Sequence, residues 1–94
     1  MKLHHKGFLL VTISKSGGIW DQQLIEKVFS EYDESGDFRE KTIRIALDEL
    51  AAAGLIKRIE NKLETKNGIA KLLFKYQVSD FGITRMVDTG LLLP

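Results

Sequence analysis

Metal or covalent chemistry in this chain has little to work with, because its 94 residues contain no cysteine and only two histidines. His4 and His5 are adjacent near the amino terminus, a placement that fits a flexible tail better than a metal site, whose ligands must converge from several directions. The acid-rich stretch DESGDFREKTIR, residues 33 to 44, offers Asp33 and Asp37 as oxygen ligands. Its glycine is misplaced for a calcium loop, and its twelfth position is Arg44, where such a loop needs a bidentate carboxylate. It reads as a turn. No Gly-rich phosphate loop, nucleophile elbow or Cys/His pair is present, so neither an enzyme nor a bound cofactor or metal is expected. What remains is binding. The segment REKTIRIALDELAAAGLIKR, residues 39 to 58, carries a charged side, and the candidates to face it are the major groove of DNA, another protein, or water.

Composition bounds the answer. With 44% hydrophobic and 29% charged residues the chain has the balance of a soluble globular domain, and its length suits one domain over residues 1 to 94. Fourteen Lys and Arg against 13 Asp and Glu leave a formal charge of +1. That is too little for general attraction to nucleic acid or an anionic membrane, so any DNA affinity must come from where the charges sit. No apolar run approaches the roughly 18 residues of a membrane span, and the amino terminus lacks the apolar core of a signal peptide. The absence of cysteine points toward the cytoplasm.

The elements that must position the charges follow from periodicity. LHHKGFLLVTISKSGG has a dense apolar centre from Phe8 to Ile13, which periodicity alone leaves open between a buried helix and a strand. In IWDQQLIEKVFSEY, Asp21 is placed to cap a helix, Trp20 and Ile25 to form a hydrophobic staple, and Leu24, Ile25, Val28, Phe29 and Tyr32 to form an apolar stripe. A further helix is expected from Asp37, with Asp37 capping it and Glu40 reaching back as in a capping box. Its core face is Ile43, Ala46, Leu47 and Leu50. It should stop at about Ala53, with Gly54 and Leu55 closing a Schellman-type end.

Asn67-Gly68 is the favoured dipeptide of a two-residue type I′ turn, and it lies between two strand-like runs. Pairing outward from it sets residues whose numbers sum to 135 opposite each other. Glu64 then meets Lys71 and Glu60 meets Lys75 on one face, while Leu63 meets Leu72, Asn61 meets Phe74 and Ile59 meets Tyr76 on the other. Ser79 caps a short last helix from Asp80 to about Asp88. The fold class is α+β, a three-helix bundle with a C-terminal β-hairpin wing.

TIRIALDELAAAGLIKR, residues 42 to 58, resembles the recognition helix and wing entry of winged helix-turn-helix transcriptional regulators. YQVSDFG, residues 76 to 82, resembles the way such proteins leave the wing and begin their last helix. The resemblance covers residues 8 to 87 loosely and 42 to 82 best, and it is one of superfamily only. It implies sequence-specific binding of double-stranded DNA and regulation of transcription by occupancy of an operator. Arg39, Lys41, Thr42, Arg44 and Ile45 then occupy the solvent side and amino-terminal half of the recognition helix, where they reach base edges or phosphates. Lys62, Lys66 and Lys71 become wing contacts to the backbone or flanking minor groove. Glu40, Asp48 and Glu49 on the same outer surface, and Glu60 and Glu64 on the wing, depart from that pattern. The alternatives are a winged-helix protein-interaction module, in which the same faces take a protein partner, and a DNA-binding domain for replication or plasmid maintenance.

A homodimer is also expected. A hairpin of about ten residues per strand extends some 30 Å at roughly 3.3 Å per residue, further than a three-helix core of this size shields. Leu63, Leu72 and Leu73 on its outer half are the interface candidates. The tail from Gly90 to Pro94 and the amino-terminal apolar segment are further ones.

Overall fold

The computed structural model describes residues 3 to 91. Along the chain run α1 (His5–Ser14), β1 (Ile19–Trp20), α2 (Asp21–Tyr32), α3 (Asp37–Ala52), β2 (Ile56–Lys66), β3 (Ile69–Val78) and α4 (Asp80–Asp88). The strands form one antiparallel sheet in the order β1-β3-β2. Four helices and a three-stranded antiparallel sheet make a small α+β fold compatible with the winged-helix shape. None of the helices in the described residues is long and apolar enough to cross a membrane.

The segment left open between helix and strand is helical, and Leu9, Leu10 and Ile13 all turn into the core. His5 is its first residue rather than part of a loose tail. Its Nε2 lies 2.7 Å from Glu34 Oε1, and its ring meets Tyr32 edge-on at 4.5 Å. In α2 the cap falls one residue earlier than expected, at Trp20, whose backbone N–H donates to Gln23 Oε1 at 3.0 Å. The staple positions therefore become Ile19 and Leu24, both in the core. Asp21 is freed from capping for another task.

At the start of α3 the expected capping box does not form. Gly36, at φ 99°, is the N-cap without a side-chain bond, and Glu40 turns elsewhere. The far end matches the sequence: Gly54 adopts φ 78°, Leu55 N–H donates to Leu50 O, and Gly54 N–H donates to Ala51 O, each at 3.0 Å. Those two bonds are the Schellman pair, and they satisfy carbonyls that the helix end would otherwise leave exposed. Ile43, Ala46, Leu47 and Leu50 of α3 pack with Leu24, Ile25 and Val28 of α2, joined by Ile56, Tyr76 and Met86.

Asn67 and Gly68 both have positive φ, 53° and 77°, as a type I′ turn requires. From Lys66 opposite Ile69 to Glu60 opposite Lys75 the predicted register holds. It then slips by one. A bulge between Arg58 and Glu60 leaves Ile59 without a partner and puts Arg58, not Ile59, opposite Tyr76. The sequence also gave no sign of β1, which adds a third strand beside β3 at Ile19 and Trp20. Leu63 and Leu72 are exposed as expected, but Leu73 is buried and leaves the list of interface candidates. It pairs with Lys62, whose ammonium lies 4.4 Å from the Trp20 ring centre, so that stem and indole roof the β3 face on which Leu73 stands. Of the expected tail, Leu91 packs on the core and residues 92 to 94 lie outside the described residues.

The hairpin returns to the helices through Ser79. Its N–H donates to Leu55 O at 3.1 Å, and its Oγ accepts from Gly82 N–H at 2.9 Å. That clamp presses α4 onto the end of α3, so a Cβ at Gly82 would stand 2.1 Å from Leu55 O. Gly82→Ala should therefore cost about 1–3 kcal/mol of stability, the usual range for forced overpacking. Gly17→Ala, where a Cβ meets nothing within 4 Å, should cost far less in the same urea titration. Equal midpoints for the two variants would show that α4 is not held against α3 in this way.

Candidate nucleic-acid interface

The polar centre of the molecule is Asp21, only 1% exposed. Because β1 ends where α2 begins, Asp21 stands where a next strand residue would pair with Phe74. Its Oδ2 accepts from Phe74 N–H at 3.1 Å, so the carboxylate continues the ladder that the backbone has left. The same oxygen takes Arg44 Nη1 at 2.6 Å, and Oδ1 takes Gln22 N–H at 2.7 Å. Arg44 Nη2 reaches Gln22 Oε1 and Glu40 Oε1, both at 3.3 Å, and Lys71 Nζ reaches that Glu40 oxygen at 2.9 Å. Asp21, Arg44, Glu40 and Lys71 thus form a chain of alternating charge that joins α2, α3 and β3.

This chain reassigns two expected contacts. Arg44, its side chain 24% exposed, turns inward to a buried carboxylate instead of outward from α3. Lys71 reaches across to α3 and not to Glu64, its register partner. Hydrogen bonding from Lys71, with Arg44 adding to it, holds the Glu40 carboxyl below its ordinary 4.5 even though burial pushes the other way.

The other residues of the expected site divide as follows. Arg39 is exposed and pairs with Glu34 at 3.0 Å. Thr42 is half-buried, and its Oγ1 donates to Phe38 O at 2.9 Å. Lys41 is exposed and forms no ion pair among the described residues, and Ile45 is exposed one turn further on. Phe38, 77% exposed, stands on the same side of α3 by its spacing of three and seven from Lys41 and Ile45. Sequence reasoning missed Phe38. Its distance from the core positions was visible in the helical period, but an aromatic residue near a helix start reads first as packing. Asp48 and Glu49 close this face, engaged by Arg58 and by Lys6 respectively.

On the hairpin, Lys62 is held over Trp20, while Lys66 beside the turn is exposed and forms no ion pair among the described residues. Arg58 was not foreseen either. Because the bulge aims it at Tyr76, its guanidinium stacks 4.2 Å from the Phe74 ring centre, its Nε donates to Tyr76 Oη at 3.2 Å, and it pairs with Asp48. Burial raises the Tyr76 hydroxyl above its ordinary value against the pull of Arg58. Among the described residues, no group of three or more His, Cys, Asp or Glu side chains is placed to hold a metal ion. Comparison of the chain with protein families, curated proteins and solved structures finds no match in any of the three.

Two measurements test the charge chain. Arg44→Ala leaves a buried carboxylate with backbone donors only, and should destabilise by about 2–4 kcal/mol in urea titration. That lies below the about 3–5 of a fully buried pair because the guanidinium is partly solvated. A loss under about 0.5 kcal/mol, the level of an ordinary surface change, would return Arg44 to the solvent face. Glu40, depressed in the fold, adds stability above its unfolded pKa that is lost as pH falls through the folded value. Stability should thus decline once pH drops below the ordinary 4.5, and Glu40→Gln should flatten that part of the curve. An unchanged slope in the variant would remove Glu40 from the account.

Proposed function

We propose that this chain binds duplex DNA through the outer face of α3, as a small transcriptional regulator that acts by occupying an operator. The observation that carries the reading is an exposed face of α3 bearing Phe38, Lys41 and Ile45, with half-buried Thr42 at its margin, beside a hairpin rich in cations. Between residues 56 and 78 six basic residues oppose two acidic ones, although the whole chain is nearly neutral. Arg58 and Lys71 are balanced by Asp48 and Glu40 of α3, so the positive charge left to flank the helix rests on Lys57 and Lys66, which form no ion pair among the described residues. Lys41 donates to guanine O6 and N7 or to a phosphate, the Thr42 methyl and Ile45 meet thymine methyl groups, and Arg39 takes a phosphate in exchange for Glu34. Arg44 and Lys71 act as positioning residues that fix α3 against the sheet.

Fluorescence anisotropy with a pool of random duplexes at about 50 mM salt should give micromolar affinity or better, falling steeply as salt rises and counterions are released. Lys41→Ala should weaken binding to a selected site by about 1–3 kcal/mol while the unfolding midpoint stays put. Phe38 and Ile45 favour one second reading, a protein-interaction module docking through the same apolar face. Absence of any duplex binding at low salt would transfer the site to that reading.

A further inference from the structure

The sheet order leaves β2 at an edge for 11 residues, and from Lys57 onward it is exposed throughout. A strand edge with unpaired N–H and C=O groups is a template for another strand, and edges are commonly blunted by charges that repel a copy. Here the charges do the reverse. Glu60, Lys62, Glu64 and Lys66 alternate in sign along one face of β2.

We infer that the chain pairs with a second copy of itself, β2 against β2, antiparallel and with Leu63 facing Leu63 on the twofold axis. In that register Glu60 stands opposite Lys66 of the copy, and Lys62 opposite its Glu64. The symmetry repeats both pairs. On the other face Asn61 meets Thr65, and the two Leu63 side chains meet at the axis, each with Leu72 beside it across its own hairpin. These leucines are 68% and 50% exposed in the single chain, so pairing covers the apolar surface that the core leaves open. Moving the axis by one residue sets like charges opposite each other, Lys62 against Lys62 and Glu60 against Glu64 for an axis at Lys62, and Glu64 against Glu64 and Lys62 against Lys66 for an axis at Glu64. An axis at Asn61 carries the ladder across the bulge at Ile59, where the edge is no longer regular. An axis at Thr65 keeps only the Glu64–Lys66 pairs and runs Leu63 and Lys62 against the Asn67-Gly68 turn, so charge pattern, bulge and turn together select one register.

Two charges on this edge lack good partners among the described residues. Glu64 loses Lys71 to Glu40 and keeps only Lys62 at 4.0 Å, and Lys66 forms no ion pair among the described residues. The second copy supplies Lys62 to the first and Glu60 to the second. The other open edge, β3 from Ile69 to Leu73, offers no such match, because its one charge, Lys71, is already bound to Glu40. This self-pairing does not rest on the DNA reading of α3.

Sedimentation equilibrium of the full chain should show a monomer–dimer equilibrium in the micromolar range. Glu64→Lys should weaken it at least about tenfold by opposing like charges. Combining Glu64→Lys with Lys62→Glu restores each opposite-charge facing, and should bring the dimer back to within about threefold of the original. With no native cysteine to interfere, oxidised Leu63→Cys should form a covalent dimer readily. Asn61→Cys should not, because its two copies stand four positions apart, beyond disulfide reach. A wild-type monomer at about 100 μM, or a dimer indifferent to Glu64→Lys, overturns the proposal, as does a charge swap that fails to restore association. Duplex binding by the Glu64→Lys monomer reports on α3 separately, so either reading can fail alone.

Discussion

The buried contact between Asp21 and Arg44 is the constraint on which the arrangement of this molecule turns. A carboxylate 1% exposed is costly unless its oxygens are engaged, and Asp21 meets that demand with a guanidinium and two backbone N–H groups. Each donor comes from a different place: the first turn of α2, the middle of α3, and β3. Satisfying one side chain therefore fixes the start of α2 against the sheet and sets the rotation of α3 about its axis. Once Arg44 is drawn inward, Lys41 and Ile45 must point outward. The face offered to a partner is the complement of an internal requirement.

The same economy governs the hairpin. A single unpaired residue, Ile59, shifts β2 by one position and swaps which side chain meets Tyr76. Arg58 takes that place and stacks on Phe74, with Asp48 of α3 compensating its charge. Its energetic weight lies in stacking and in the Tyr76 bond, because a pair this exposed contributes little by itself. The bulge thus ties the base of the hairpin to α3. Beyond it, the strands from Glu60 to Lys75 run in unbroken register, β2 exposed throughout and β3 still tied to α3 through Lys71 and Glu40. A base tied to α3 and an exposed strand beyond it explain how so short a chain keeps Leu63 and Leu72 at positions the core does not cover.

Much of this was legible in the sequence because it depends on local chemistry. The Asn67-Gly68 turn needs only two residues tolerant of positive φ, and it sets the register for as long as the strands stay regular. Gly54 and Leu55 end α3 through bonds that span a few residues, and Ser79 starts α4 in the same way. The core faces of α2 and α3 follow from a 3.6-residue period that survives any tertiary context. The order of these elements carried the α+β class and its likeness to a winged helix.

Tertiary structure decided where the charges went. Arg44, Glu40 and Lys71 each had a sensible local placement, on the solvent side of α3, as capping carboxylate and as partner of Glu64, and each turns instead to a group distant in sequence. Period and spacing see neighbours along the chain, whereas a buried carboxylate recruits donors by distance in space. The bulge at Ile59, the two-residue β1 and the cover over Leu73 escaped for the same reason: each arises where separate segments must fit together, and no short window contains both sides of the fit.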